Sequence, residues 1–302
     1  MRLTLYKWKE VLIKSYLSYT RGCGYAFSYW PYVSVRNTQS GLDVLFKGNK
    51  LFSSLPLAQL QKPGEDVYIL ASGPSVQRQD LKFLRGKNVI TLNGSVSAAR
   101  ANGFIPLLHL IADANFILKR PQLVESVPAG VPVALSLSAV KAAAVFVPGL
   151  FHGRELFPIL NPLEKFPLPP VSADRLPRDK FRINRSGTSA FSLEPLAGLQ
   201  DGGSVLTIAL QLAYFLQFKR IFLLGFDIGN AAEPRFYETK KNRVKCGLLK
   251  DYEEKILPFM KLAAEVFRSA GREIYNCSPV SKLPYEVVPY FKYPKMSQNE
   301  NK

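Results

Sequence analysis

Four short apolar runs, separated by helix-length segments, limit what this 302-residue chain can fold into. They are Val67-Tyr-Ile-Leu-Ala71, Asn88-Val-Ile-Thr-Leu92, Pro106-Leu-Leu-His-Leu-Ile-Ala112 and Val131-Pro-Val-Ala-Leu135. Strands that are apolar without alternation are buried on both faces, as in a parallel sheet covered by helices. Parallel neighbours are joined by right-handed crossovers, so a succession of βαβ units follows. Further along, Val205, Ile208, Ala209, Leu212, Ala213 and Leu216 mark one helix face. Arg220-Ile-Phe-Leu-Leu224 then reads as a strand, residues 251 to 270 as a helix, and Glu273-Ile-Tyr275 as the last strand. The expected fold class is α/β, a Rossmann-like doubly wound parallel sheet over residues 61–295.

Two segments break the pattern. Residues 148–200 hold Pro148, Pro158, Pro162, Pro167, Pro169, Pro170, Pro177 and Pro195, a density that opposes a long helix or a central strand. We expect a Pro-rich insertion or lid there. Residues 1–60 form a basic, aromatic N-terminal extension, and the first 36 residues carry six basic residues against one acid. Within it Leu5, Trp8, Leu12 and Tyr16 fall near helical spacing with lysines between them. Such a helix either lies in the headgroup layer of an anionic membrane or docks on the core, and both readings stay open. Lys7, Lys9, Glu10 and Lys14 interrupt the apolar residues before a signal peptide or a spanning length accumulates. Residues 296–302 read as a polar tail.

A formal net charge of +17 favours anionic partners: nucleic acid, an anionic membrane surface or a phosphorylated glycan. No RRM, KH or helix-turn-helix signature accompanies the charge, so no nucleic acid partner is expected, although a basic binding module without catalysis stays a rival. Three cysteines, Cys23, Cys246 and Cys277, are odd in number and widely spaced, which fits a reducing cytoplasm better than a disulfide framework or a zinc site.

Ligands of open parallel sheets bind beyond the C-terminal strand ends, so the turns there are the first candidates for a site. Ser72-Gly73-Pro74-Ser75 follows the first run, Asn93-Gly94-Ser95 the second and Asp113-Ala114-Asn115 the third. Gly225-Phe226-Asp227-Ile228-Gly229-Asn230 follows the later strand, and Gly202-Gly203-Ser204 opens a helix at an end suited to an anion. Each turn alone could be an ordinary helix cap. Five at one sheet edge favour a binding site. The chain has no phosphate-binding loop of the G-x-x-x-x-G-K type, no G-x-G-x-x-G loop and no D-x-D motif after a strand. Of its two histidines, His109 sits inside an apolar run as a core residue would, so hydrolase triads and histidine-held metals are poorly supported.

In order, Tyr68-Ile-Leu-Ala-Ser-Gly-Pro-Ser75, Thr91-Leu-Asn-Gly-Ser95, Leu108-His-Leu-Ile-Ala-Asp113, Arg220-Ile-Phe-Leu-Leu-Gly-Phe-Asp227, Pro234-Arg-Phe-Tyr237 and Tyr285-Glu-Val-Val-Pro-Tyr290 resemble the lipopolysaccharide-core Kdo transferases of the WaaZ (RfaZ) type. More distantly they resemble the bacterial CMP-sialic acid sialyltransferases of glycosyltransferase family 42. The resemblance implies a GT-A-type Rossmann domain and a metal-independent, inverting glycosyltransferase moving Kdo from CMP-Kdo to the lipopolysaccharide inner core. It further implies no cofactor and a cytoplasmic enzyme peripheral on the inner membrane. The donor is then held by the turns at Ser72, Gly73, Pro74, Ser75, Asn93, Gly94, Asp113, Ser204, Gly225 and Asp227. A transferase of sialic or another nonulosonic acid is the alternative, since the donor turns would be shared. The missing D-x-D fits a leaving group with a single phosphate, which protein donors can stabilise without a cation.

The sequence departs from the sialyltransferases in two places. Their two phosphate-binding tyrosines fall at Gly229 and near Arg235, so Arg235, with Tyr237, is the candidate for the leaving phosphate. Where they carry a histidine base, this chain has Asp251-Tyr-Glu-Glu254. Glu254 aligns best as general base, with Asp251, Glu253 and Asp113 as rivals.

Overall fold

The computed structural model describes residues 2–22, 27–164, 168–244 and 246–292. Helix α1 (Arg2–Arg21) leads into strands β1 (Val33–Thr38), β2 (Gly41–Phe46) and β3 (Asn49–Ser53). Next come β4 (Asp66–Leu70), β5 (Asn88–Leu92), α2 (Val96–Asn102), β6 (Leu108–Ile111), α3 (Ala114–Lys119) and α4 (Pro121–Glu125). They are followed by β7 (Val133–Ser136), α5 (Leu137–Phe146), β8 (Leu156–Ile159), β9 (Phe181–Ile183) and β10 (Ala190–Ser192). The chain ends with α6 (Val205–Phe215), β11 (Arg220–Leu224), α7 (Leu248–Asp251), α8 (Leu257–Ser269) and β12 (Glu273–Asn276).

Seven strands make one parallel sheet in the order β12-β11-β4-β5-β6-β7-β8. The winding starts mid-sheet at β4, runs outward to β8 and returns to the other side of β4, which places the switch of direction between β4 and β11. Alternate residues of each strand enter different cores. Val67 and Ile69 of β4 pack with Leu206 and Leu210 of α6 and Phe259 of α8. Tyr68 and Leu70 pack instead with Ala98 and Ala99 of α2. Nearer β8 the second face is covered by Phe116 and Ile117 of α3, Val140 and Ala143 of α5, and Val44 and Phe52 of the N-terminal strands. Burial on both faces is the reason the strand sequences are continuously apolar.

The N-terminal segment is part of this body. Strands β1 to β3 form an antiparallel sheet whose inner residues belong to the core under α5. Beyond β3 the chain reaches the outer edge of β8, where the Leu55 amide donates to the Leu156 carbonyl at 2.7 Å. Helix α1 is docked through buried Tyr6 and Leu17, and the buried Lys141 of α5 donates to Glu10 Oε1 at 3.1 Å and to the Ser28 carbonyl at 2.7 Å. Desolvation lowers the Lys141 pKa, and the Glu10 charge opposes that shift. The opposite face of α1 leaves Leu5, Trp8, Val11, Leu12 and Tyr16 exposed. The helix is therefore docked and still presents an apolar face outward.

The Pro-rich stretch is not a lid set apart from the sheet. It supplies the edge strand β8, where Pro158 is tolerated because a missing donor at an edge costs little. It then forms the β9–β10 hairpin, whose Phe191 enters the main core. The helix expected from 251 to 270 is divided into α7, a π-helical turn over Tyr252–Ile256, and α8, with Pro258 in the first turn of α8. His109 is fully buried in β6 with its Nδ1 2.9 Å from Thr91 Oγ1, and burial pushes its pKa down to about 3. Cys246 and Cys277 are free thiols, whereas Cys23 lies outside the described residues.

Candidate functional site

The carboxyl ends of β4, β5, β6 and β11 and the start of α6 enclose a cleft of about 430 Å³ at the switch point. Its floor depends on glycine. A side chain at Gly73 would place Cβ 2.4 Å from Asp227 Cγ and 2.5 Å from the Gly225 carbonyl. The Gly73 amide donates to that carbonyl at 2.8 Å, drawing the two turns together. Gly225 holds φ at +68°, a conformation costly for other residues, and its missing side chain makes room for Val76.

Asp227 fastens this floor. Its carboxylate accepts from the Ser75 amide at 2.6 Å, from Ser75 Oγ at 2.7 Å and from Ser278 Oγ, so three separate turns meet on one buried group. Ser75 does not line the cleft, and both Asp227 oxygens are occupied. Asp227 lines the cleft and at the same time locks its turns together, whereas Ser75 lies off the cleft as the other half of that lock. Gly94 also lies off the cleft: a Cβ there would fall 2.2 Å from the Tyr237 ring, which covers it.

The remaining donor candidates converge. Ser72, Gly73, Pro74, Asn93, Asp113, Ser204, Gly225 and Arg235 all line the cleft. Asp113 caps α3 by accepting from the Asn115 amide at 2.8 Å, and Ser204 caps α6 by accepting from the Leu206 amide at 3.3 Å. Asn93 differs from its neighbours. It adopts a positive φ of 48°, and its buried Oδ1 has no hydrogen-bond partner among the described residues. A buried acceptor left open in a strained backbone is the kind of feature that a ligand donor completes.

Arg235 leans on a buried acid. Its Nη1 donates to Glu238 Oε1 at 3.1 Å and to the Val244 carbonyl at 3.3 Å, and Glu238 Oε2 accepts from the Arg235 amide at 3.1 Å. Tyr237 packs beside it, and burial raises its phenol pKa. Asp251 reaches the cleft but is paired with Lys255 at 2.8 Å. Glu254, the base that aligned best, is exposed in the π-helical turn and does not line the cleft, because that wider turn carries it to the outer side. Asn230, from the turn after β11, lines the cleft, and the sequence reading missed Asp201, Glu233 and Cys246, which complete the wall. Only Asp201 had a signal, its position just before the Gly-Gly-Ser opening of α6.

A second cleft of about 700 Å³ adjoins the first at the ends of β6, β7 and β8 and shares Ala112 and Asp201 with it. Tyr29, Trp30, Ser136, Ser138, Asn161 and Glu164 line it.

A family model described as 3-deoxy-D-manno-octulosonic acid transferase WaaZ matches residues 183–294. The probable 3-deoxy-manno-octulosonic acid transferase of Escherichia coli (strain K12) is 27% identical over 260 residues, 80% of this chain and 87% of that protein. The protein of the same name from Salmonella typhimurium (strain LT2) is 27% identical over 249 residues, 76% of this chain and 88% of that one. The chain resembles the WaaZ-type Kdo transferases. This likeness supports a glycosyltransferase. Among solved structures, the MAf glycosyltransferase from Magnetospirillum magneticum AMB-1 aligns over 74% of this chain at 16% identity and a TM-score of 0.44, and this chain spans 33% of its length. The sialyltransferase CstII from Campylobacter jejuni aligns over 80% of this chain and 89% of its own, at 15% identity and a TM-score of 0.43.

Proposed function

We propose that this chain is a metal-independent, inverting glycosyltransferase that moves Kdo from CMP-Kdo onto the lipopolysaccharide inner core. The observation that carries the reading is Asn93: an open, buried acceptor in a strained turn, set among backbone and hydroxyl donors at the sheet's switch point. Such an acceptor suits the exocyclic amine or a hydroxyl of a nucleoside. The start of α6 and the Ser72–Pro74 turn suit the single phosphate. Arg235, its Nη1 anchored by Glu238, presents fixed positive charge where the negative charge of departing CMP would grow.

The inner-core acceptor is borne on lipid, and the exposed apolar face of α1, on a chain of +17 net charge, suits an anionic membrane surface. Among the described residues no helix is long and apolar enough to cross a membrane. Attachment is therefore proposed as peripheral, on the cytoplasmic face of the inner membrane.

The deciding assay measures CMP release from CMP-Kdo with and without inner-core acceptor, in excess EDTA, with CMP-sialic acid offered in parallel. Acceptor-stimulated release from CMP-Kdo is expected. Activity that vanishes in EDTA and returns with Mg²⁺ or Mn²⁺ would remove metal independence, and a preference for CMP-sialic acid would move the chain to the nonulosonic acid reading.

A further inference from the structure

The second cleft meets the first at a carboxylate, Asp201. Asp201 lies in the loop between β10 and α6, and it is held there firmly. Buried Gln211 accepts from the Ser192 and Gln200 amides at 3.0 and 3.2 Å and donates to the Gln200 and Thr207 carbonyls at 3.0 Å each, which fixes the residue before Asp201. The Gly202 amide donates to Thr207 Oγ1 at 3.0 Å, and the Gly203 amide donates to Asp201 Oδ1 at 2.9 Å. The carboxylate thus stands at a set point where the two clefts meet.

The second cleft has the lining of a sugar site. Tyr29 and Trp30 supply aromatic surface, and Trp30 is steadied by stacking on Tyr16 of α1, with ring centroids 6.2 Å apart and planes within 10°. Ser136, Ser138, Asn161 and Glu164 supply hydroxyl, amide and carboxylate groups. Apolar faces combined with a few convergent polar groups in a cleft of this size are what a saccharide ring requires. Glu164 accepts from Asn161 Nδ2 at 2.8 Å.

We propose that the second cleft binds the acceptor sugar and that the Asp201 carboxylate removes the proton from its attacking hydroxyl. The step rests on the glycosyl-transfer reading above. The acceptor oxygen forms the bond to the donor's anomeric carbon as the bond from that carbon to the CMP phosphate oxygen breaks. The hydroxyl proton passes to Asp201 and then to water, and the electron pair leaves with CMP. Asp201 is exposed to the open cleft but surrounded by protein on its other sides, and this desolvation raises its pKa. Burial also pushes Glu164 up to about 7, with the Asp201 charge adding to the rise. The Asp251 charge adds to the rise at Asp201 and the Lys255 charge opposes it, and a carboxylate kept from water in this way is a stronger base than a solvated one. Glu164 is a positioning residue, holding the acceptor beside Asp201.

The test uses the full chain, CMP-Kdo and a deacylated inner-core oligosaccharide. Asp201→Asn should lower kcat for transfer by about a hundredfold or more, the scale of one general base, and should flatten the acidic limb of the kcat/KM pH profile. CMP affinity measured by calorimetry should stay within about threefold of the parent. Trp30→Ala should raise the acceptor KM without changing CMP affinity. Should Trp30→Ala fail to fold, Trp8→Phe leaves Trp30 as the only tryptophan, and its emission should shift on addition of the oligosaccharide. Parental transfer by Asp201→Asn, or a Trp30 emission indifferent to saturating oligosaccharide, would overturn the proposal while CMP binding keeps the donor reading alive. A parent that neither binds CMP nor releases it from a CMP-sugar would overturn both together.

Discussion

The two clefts share an edge of the same sheet but are built by different means. The first cleft, proposed above as the donor cleft, is made of tight glycine turns, helix caps and backbone amides, each a few residues from a strand end. The second cleft is made of side chains drawn from the segment after α1, the ends of β7 and β8, and the loop before α6. A site of the first kind is rigid and its composition is local. A site of the second kind can change its ligand by single substitutions without disturbing the sheet. The comparison predicts that donor-cleft changes cause abrupt losses, whereas changes in the second cleft, Asp201 apart, cause graded ones.

Arg235→Ala is the strongest challenge to the donor cleft. Its kcat should fall about a hundredfold or more, roughly 2.7 kcal/mol, with a smaller rise in donor KM, because its charge matters most as CMP departs. Arg235→Lys should recover only part of this, since an ammonium lacks the planar fork. Steady-state kinetics with an unchanged kcat and an altered acceptor KM would assign Arg235 to the second cleft and erase the distinction between the two.

Gly73→Ala tests the floor without removing any functional group. A Cβ that approaches Asp227 and the Gly225 carbonyl within 2.5 Å should force the latch apart. Loss of CMP binding by calorimetry, with destabilisation of about 1–3 kcal/mol in urea melts, is the expected result of such overpacking. Ser138→Ala in the second cleft should leave stability and CMP affinity close to the parent.

The sheet beneath both clefts sets a pH baseline. His109 is held at about 3 when folded against 6.5 when free, so between these values the unfolded chain carries the extra proton. Stability from this group is whole above pH 6.5 and falls as the pH drops toward 3, by about 2–3 kcal/mol at pH 4.5. Denaturant melts of His109→Asn should show less loss than the parent over that range. If both variants decline alike, the acid sensitivity lies with the carboxyls.

Outside both clefts, Trp8 and Leu12 are exposed by 64% and 65% on α1. Replacing both with glutamate should weaken sedimentation with anionic vesicles while leaving turnover of a soluble acceptor near parental. Unchanged vesicle binding would assign that face to something other than membrane.

The same contrast explains what could be read from the sequence. Asn88–Leu92 and Arg220–Leu224 matched their strands because two-sided burial writes itself as an unbroken apolar run. The turns lining the first cleft were legible for the same reason, since they stand next to such runs at the sheet's switch point. Strand β8 was hidden by Pro158, which an edge position tolerates, and β1 by aromatic neighbours that drew attention to α1 instead. Ser75 and Asp227 were each named among the donor candidates, but only three-dimensional contact reveals that they bind each other. Asp201 and Glu164 follow β10 and β8, strands that the prolines of this stretch hid, and Tyr29 and Trp30, which share their cleft, lie more than a hundred positions away.

The stacking of Tyr16 on Trp30 joins the outward face of α1 to the interior of the second cleft. With the membrane attachment and the acceptor cleft proposed above, that link would turn acceptor capture into a two-dimensional search. The rate should then follow the mole fraction of acceptor in the surface rather than its bulk concentration. Dilution with inert anionic lipid at constant bulk acceptor should slow the parent and leave the double glutamate variant of Trp8 and Leu12 insensitive, so that substrate supply is governed by the packing of the bilayer itself.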